Sequence, residues 1–147
     1  MRTVLLADDN RECLDSLARM LKRWGCRFLP AVDVAEALWL LEKTLVDLAI
    51  LDLEMPLGGG LSVLQRIRVS QPGLPVLMLT GSATRESLLR AYAAGAYGFL
   101  PKPVSVDLLR QMLAEVLTTH MPALVRMGPV TSYGPGNEVT PLAKRRD

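Results

Sequence analysis

Short apolar runs alternate with longer amphipathic stretches along the first 119 residues of the chain. Strands buried on both faces of a parallel sheet are continuously apolar, whereas amphipathic helices repeat apolar positions every three or four residues. Five runs predict strands, the first, third and fourth most clearly: 4–7, 26–29, 48–51, 75–79 and 97–100. Alternation of this kind is typical of successive βα units, so it predicts a doubly wound α/β fold.

The amphipathic stretches between these runs predict five helices. The first carries leucines at helical spacing and is followed by Gly25, which suits the left-handed residue that often ends a helix. Asp33 is the predicted N-cap of the second helix, whose apolar stripe runs from Val34 to Leu45. The other three are predicted at 61–69, 85–94 and 106–119. We expect the apolar stripes to form the core.

The composition changes after residue 120. The last 27 residues include four prolines and three glycines, which interrupt any regular pattern. We therefore predict one domain over residues 1–120 and a C-terminal tail or linker over 121–147, too short for an independent output domain.

The net charge of +2 comes without a long basic run, so nucleic-acid binding is not predicted. The N-terminal apolar run is too short for a signal peptide, and no stretch approaches the length of a membrane span. We expect a soluble, cytoplasmic protein in which Cys13 and Cys26 are reduced thiols.

Polar residues whose side chains could take part in catalysis or binding follow the predicted strands. Asp8 and Asp9 follow the first run, Asp52 the third, Thr80 the fourth and Lys102 the fifth. Ligands of doubly wound folds bind beyond the carboxyl ends of the strands, where the strand order reverses. Each residue alone is commonly a cap or a surface charge, but their joint placement predicts a site.

The residue types at these strand ends predict phosphoryl transfer. If the first and third strands are neighbours, Asp8, Asp9 and Asp52 repel one another unless a cation offsets their charge. Mg²⁺ accepts carboxylate oxygens together with phosphate oxygens. Lys102 offers a positive charge to a phosphate, and Thr80 offers a hydroxyl. Together they predict an aspartyl-phosphate intermediate formed with Mg²⁺ as cofactor.

Four segments resemble the signature blocks of a known family: LLADDN at 5–10, LDLEMP at 51–56, LTG at 79–81 and GAYGFLPKP at 95–103. In this order they are similar to response-regulator receiver domains of two-component signal transduction, of the single-domain chemotaxis-regulator type. The resemblance extends from residue 3 to about 119. It implies a flavodoxin-like (βα)5 fold with a five-stranded parallel sheet of order 2-1-3-4-5 and helices on both faces.

The resemblance also implies roles for the acidic residues. Asp52 would be the phosphoacceptor. Asp9 and Asp52 would bind Mg²⁺ directly, Asp8 partly through water, and Glu54 through its backbone carbonyl.

The remaining implied roles concern the switch. Lys102 would contact the phosphoryl group, and Thr80 would move towards it. Phe99 would then turn inward, and Lys102–Pro103 would be a cis bond. The surface of the fourth helix, fifth strand and fifth helix would change conformation as a result.

The resemblance implies a phosphorelay function. The phosphoryl donor would be a sensor histidine kinase or a histidine phosphotransfer protein, and the signal would pass to a downstream protein that the sequence does not identify. A homodimer through the switch surface is left open, and no membrane partner is predicted. The protein would catalyse only its own phosphorylation and dephosphorylation, and would not be an enzyme in the usual sense.

Two departures from the family pattern lead to further expectations. Gly58, Gly59 and Gly60 stand where the family usually has a single glycine, and we interpret them as a more flexible loop beside the site. Pro101 lacks the N–H that a sheet needs, so we expect the fifth strand to end before it.

Alternatives to the phosphorelay function remain. The chain could be a protein-interaction module that works without phosphorylation, or the receiver fragment of a longer response regulator. A hydrolase of the haloacid dehalogenase type, with Glu54 as its second carboxylate, is less well supported because no cap domain is present. We interpret His120 and the basic residues 144–146 as solvated.

Overall fold

The computed structural model describes residues 2–82 and 84–119. Strands and helices alternate without exception through this part of the chain. Their bounds are β1 Thr3–Ala7, α1 Arg11–Arg23, β2 Arg27–Ala31, α2 Val34–Lys43, β3 Leu48–Asp52, α3 Gly59–Ser70, β4 Val76–Thr80, α4 Arg85–Ala93, β5 Gly98–Pro101 and α5 Val106–Thr119.

The strands form one parallel sheet in the order β2-β1-β3-β4-β5, so the predicted flavodoxin-like α/β fold is confirmed. β1 lies between β2 and β3. The chain adds β2 on one side of β1 and then β3, β4 and β5 on the other, so the strand order reverses at β1. Ala7 pairs with Leu51, so Asp8 and Asp52 follow these partners at the same edge of the sheet. The strand order therefore brings the acidic residues together, as doubly wound folds do at their binding edge.

Alternate residues of the strands face two apolar layers. One layer joins strand residues such as Leu5 and Leu51 to buried residues of α2, α3 and α4. The helix α1 contacts β1 and β2, and its buried leucines lie outside that layer. Those leucines have the predicted spacing: Leu14, Leu17 and Leu21.

The caps and helix ends follow the local sequence. The Asp33 side chain accepts a hydrogen bond from the Glu36 N–H at 2.8 Å, as predicted for an N-cap. Gly25 has a φ of 79°, the left-handed conformation expected after α1. The α2 helix, however, ends at Lys43, and Leu45 beyond it is 91% exposed rather than part of the core stripe.

In the described part of the chain, residues 2–106 belong to one compact unit, and α5 belongs almost entirely to a second unit that begins at Asp107. Within α5, Leu109, Leu113 and Val116 are buried at helical spacing. No helix in the described part of the chain combines the length and apolar character needed to cross a bilayer. The predicted tail at 121–147, His120 and the basic residues 144–146 lie outside the described residues.

Three strands, β3, β4 and β5, end one residue later than predicted, and β2 ends two residues later. Asp52 and Thr80 are the last residues of β3 and β4 rather than the residues after them. Pro101 pairs with Thr80, so the expectation that β5 ends before it was wrong. Because β5 is an edge strand, a proline without N–H can face away from its single neighbour.

The three glycines do not form the flexible loop that the sequence suggested. Gly58 is the N-cap of α3 with a φ of 91°, and Gly59 and Gly60 are buried in its first turn. A Cβ at Gly60 would lie 2.6 Å from the backbone oxygen of Asp52, and one at Gly59 would meet that of Leu53. The glycines therefore allow α3 to pack directly on the end of β3.

Candidate functional site

Asp8 and Asp52 are buried carboxylates at neighbouring strand ends. Asp8 has no exposed surface and Asp52 is 2% exposed. Asp8 Oδ1 accepts the Asn10 N–H at 2.9 Å, and Asp52 Oδ1 accepts the Glu54 N–H at 3.0 Å. Each carboxylate is thus held by the amide two residues after it, which directs its second oxygen elsewhere.

The second oxygen of both carboxylates faces Lys102. The Lys102 Nζ lies 2.8 Å from Asp8 Oδ2 and 3.3 Å from Asp52 Oδ2. Although the first contact is close, Asp8 Oδ2 has no hydrogen bond of good geometry among the described residues. We regard the contact as an ion pair, and this buried oxygen still lacks a well-aligned partner.

A third carboxylate completes the acidic pocket, by which we mean Asp8, Asp9 and Asp52. Asp9 is exposed, and one oxygen from each of the three residues lies within 4.8 Å of the others. Three hard oxygen ligands at this separation suit a divalent cation such as Mg²⁺. Asp8 Oδ2 is buried and, apart from its ion pair with Lys102, has no hydrogen-bond partner among the described residues, so the residues present could hold the metal.

The pKa values of the two buried carboxylates, Asp8 and Asp52, are shifted in opposite directions. Burial raises the pKa of Asp52 to about 6, with a smaller contribution from the charge of Asp8, although the Glu54 N–H opposes the shift. Burial also opposes ionisation of Asp8, but Lys102 and the hydrogen bonds of Cys13 and Asn10 together hold its pKa below the usual value.

The cation and the thiol beside the pocket respond to its charge. Burial acts to lower the pKa of Lys102, but the two carboxylates outweigh it and the pKa is raised. Burial raises the pKa of Cys13 to about 12, and Asp8 adds to the effect. Lys102 therefore stays charged and Cys13 stays a protonated thiol, which makes it a poor nucleophile.

The raised pKa of Asp52 predicts that its ionisation destabilises the metal-free fold. The folded pKa of about 6 exceeds the ordinary value of 3.8. The contribution of Asp52 to the free energy of unfolding is therefore largest below about pH 4 and is lost as the pH rises through about 6. With a chelator present, we expect Asp52→Asn to increase the free energy of unfolding at neutral pH by about 1–3 kcal/mol.

Denaturation of the wild type and the Asn variant with chelator, between about pH 5 and pH 8, measures this effect. The stability difference should widen as the pH rises. The lowered pKa of Asp8 makes the free energy of unfolding fall with decreasing pH, but this effect lies below the pH range of the experiment. A difference that is constant or narrows with rising pH would contradict the prediction.

The Glu54 side chain reaches from the loop after β3 to the end of β4. Its carboxylate accepts hydrogen bonds from Thr80 Oγ1 at 3.3 Å, from the Gly81 N–H at 3.1 Å and from the Ser82 N–H at 3.3 Å. From the sequence, Glu54 was expected to bind the metal through its backbone carbonyl, and its side chain had a role only in the alternative hydrolase hypothesis. The side-chain contacts could not be predicted without knowing that β3 and β4 are neighbours.

The remaining predicted residues lie on β5 and just after it. Phe99 is half-buried, packs against the apolar layer that includes α4, and pairs with Met78 of β4. The Lys102 N–H donates to the Thr80 carbonyl at 2.9 Å, which extends the β4–β5 ladder by one residue. The Lys102–Pro103 peptide bond is cis.

Residues 4–114 match the model of the family described as the response regulator receiver domain. The match includes the acidic pocket, Thr80 and Lys102. The chain is a response regulator receiver domain. Receiver domains belong to two-component signalling and are not classical enzymes; they interact with histidine kinases, and an acidic triad that can bind a metal ion is typical of them.

Curated relatives of this receiver domain are longer proteins. A response regulator receiver protein of an Anaeromyxobacter species is 36% identical over 72% of the chain, which covers 44% of that relative. The response regulator protein PilR of Pseudomonas aeruginosa is 34% identical over 80% of the chain, covering 26% of its length. The receiver domain described here thus spans less than half of each.

Solved receiver structures share its fold. A chemotaxis response regulator of Vibrio cholerae has a TM-score of 0.75 and 31% identity, covering 80% of this chain and 99% of that one. A receiver domain from Methanospirillum hungatei, described as CheY-like, has a TM-score of 0.74 and 29% identity, covering 79% and 94%. These likenesses agree with the strand order and with a single receiver domain of about 115 residues.

Proposed function

We propose that the chain is a phosphoacceptor in a two-component phosphorelay and that Asp52 receives the phosphoryl group. The observation that carries this proposal is the contact of the buried Asp52 carboxylate with Lys102, next to Asp8 and Asp9. A buried carboxylate with a pKa of about 6 is ionised at neutral pH and is therefore available as a nucleophile.

The proposed donor is a phosphohistidine on a sensor histidine kinase or a histidine phosphotransfer protein. A carboxylate oxygen of Asp52 attacks phosphorus, the P–N bond to the histidine breaks as the P–O bond forms, and the imidazole leaves with the electron pair. Lys102 stabilises the charge that develops on the phosphoryl oxygens, which it can reach because its Nζ already lies beside Asp52.

Asp9, Asp52 and the Glu54 backbone carbonyl are the proposed direct ligands of Mg²⁺, with Asp8 contributing through water. When bound, the metal offsets the negative charge of the carboxylates and the phosphoryl group. Asp8 has a second task that needs no metal, since its ion pair orients Lys102 towards the acceptor.

The proposed output is a change in surface conformation. Thr80, at the end of β4, would move towards a phosphoryl group on Asp52, and Phe99 on the adjacent strand would turn inward in response. The surface formed by α4 and β5 would then differ between the two states and would be read by a downstream protein. Couplings of this kind are typically about 1–3 kcal/mol.

The domain boundaries belong to the same proposal. The receiver domain would comprise residues 1–120, and 121–147 would be a tail or linker.

Intact mass after incubation with acetyl phosphate tests the proposal. We expect one phosphoryl adduct in the presence of Mg²⁺ and none with excess chelator, because Lys102 alone does not offset the negative charge of the three carboxylates in the acidic pocket. The adduct should be lost in acid or base, as an acyl phosphate is. No adduct with any small phosphodonor or with a histidine kinase would favour an interaction module that works without phosphorylation.

A further inference from the structure

The Glu54 carboxylate occupies the hydrogen-bond donors at the end of β4. It accepts from the Thr80 hydroxyl and from the amides of Gly81 and Ser82, at 3.1–3.3 Å. Three donors converge on one carboxylate, which is an arrangement normally found around a bound anion. In this conformation the anion is supplied by the protein itself.

The Thr80 hydroxyl cannot serve two acceptors at once. A threonine hydroxyl has a single O–H donor, which here points to Glu54 Oε2. A phosphoryl group on Asp52 would need that same hydrogen. Contact with Glu54 and contact with the phosphoryl group are therefore mutually exclusive uses of the Thr80 hydroxyl.

The Glu54 contacts also fix the loop that would have to move. Gly81 and Ser82 follow Thr80 directly, and their amides are held by the same carboxylate. Glu54 is also hydrogen-bonded to the last residue of β3, because its own N–H donates to Asp52 Oδ1. The side chain therefore links the segment that follows β3 to the loop that follows β4.

We propose that Glu54 is a positioning residue that stabilises the unphosphorylated conformation by holding Thr80, Gly81 and Ser82 away from Asp52. The proposal rests on the proposed phosphoacceptor function and adds a restraint to it. Glu54 has to release the hydroxyl and the two amides before Thr80 can reach the phosphoryl group. Removing the restraint favours the phosphorylated conformation.

A different explanation would give Glu54 an effect through charge alone, by repelling the phosphoryl group. Two conservative variants separate the explanations. Glu54→Asp keeps the charge but shortens the side chain by one methylene, so it loses the reach to the loop. Glu54→Gln keeps the length and a carbonyl acceptor but removes the charge.

The affinity for beryllofluoride, a phosphoryl mimic, measured with Mg²⁺ present, is the main readout. We expect Glu54→Asp and Glu54→Ala to bind it about 5- to 30-fold more tightly than wild type, with Glu54→Gln between them and wild type. Glu42→Asp, an exposed substitution on α2, is the matched control and should bind as wild type does.

Amide chemical shifts supply a second readout that needs no phosphoryl group. In the unphosphorylated protein, the Gly81 and Ser82 amides should move upfield in Glu54→Asp and Glu54→Ala, because each loses a charged acceptor. Unchanged shifts in Glu54→Asp would overturn the restraint. A wild-type affinity in Glu54→Asp, together with tighter binding in Glu54→Gln, would also overturn it in favour of charge repulsion.

The failure of this inference is distinct from failure of the proposed function. If wild type forms the aspartyl phosphate but all three Glu54 variants bind beryllofluoride as wild type does, only the restraint is wrong. If wild type forms no adduct and binds no beryllofluoride, the phosphoacceptor function is wrong, and the restraint is overturned with it.

Discussion

Asp52→Asn is expected to form no phosphoryl adduct under conditions in which the wild type is fully modified. The substitution replaces a nucleophilic carboxylate by an amide of nearly the same shape, so the hydrogen bond from the Glu54 N–H at 3.0 Å can be retained. The variant should remain folded, and its metal-free form should be more stable at neutral pH. The loss of the adduct would then be a loss of chemistry rather than of structure.

Asp9→Asn is the matched control for this result. Asp9 belongs to the same acidic pocket but is exposed, and Lys102 contacts Asp8 and Asp52 rather than Asp9. We expect this variant to be phosphorylated on Asp52 only at a higher Mg²⁺ concentration. Peptide mapping should locate the group in both proteins. An adduct of wild-type yield in Asp52→Asn would refute Asp52 as the acceptor and direct attention to Asp8.

Gly60→Ala is expected to destabilise the fold by about 1–3 kcal/mol, the usual range for forcing extra atoms into a packed interior. The new Cβ would lie 2.6 Å from the Asp52 carbonyl oxygen and 2.8 Å from the Met78 side chain. Met78 can adjust, but the backbone of β3 cannot move without displacing Asp52. We therefore expect a slower phosphorylation rate as well as a lower free energy of unfolding.

Gly73→Ala provides the comparison within the same chain. A Cβ at Gly73 meets nothing within 4 Å, and its φ is not in the left-handed region. This substitution should be neutral or should stabilise the fold by a few tenths of a kcal/mol, because alanine restricts the unfolded chain. Chemical denaturation of the two variants measures the contrast. Equal stabilities would show that α3 can move away from β3 at no cost.

Much of the fold could be predicted because its information is local. Continuous apolar runs predicted the three central strands, β1, β3 and β4, and leucine spacing with Gly25 predicted α1 and its end. Asp33 was recognised as a cap for the same reason, since its hydrogen bond reaches only three residues along the chain. The acidic pocket could be predicted because each carboxylate stands at a strand end, so its position follows from the topology.

The wrong or missing predictions concern packing and strand pairing that the local sequence does not specify. Glycine side chains carry no pattern, so the sequence could not distinguish a flexible loop from the close packing of Gly60 on Asp52. Pro101 is compatible with β5 only because that strand lies at an edge. The three hydrogen bonds of Glu54 join residues 26 to 28 positions apart, which only the pairing of β3 with β4 makes possible.

The two amides that hold Asp8 and Asp52 have a consequence for the entropy of binding. Both carboxylates are fixed in orientation by a hydrogen bond from the backbone amide two residues further along the chain before any ligand arrives. A side chain that is already ordered loses little rotamer freedom when it meets a metal or a phosphodonor. The side-chain entropy of the carboxylates is therefore lost on folding rather than on binding. Small phosphodonors, which make few contacts of their own, can react with an acceptor that is already ordered.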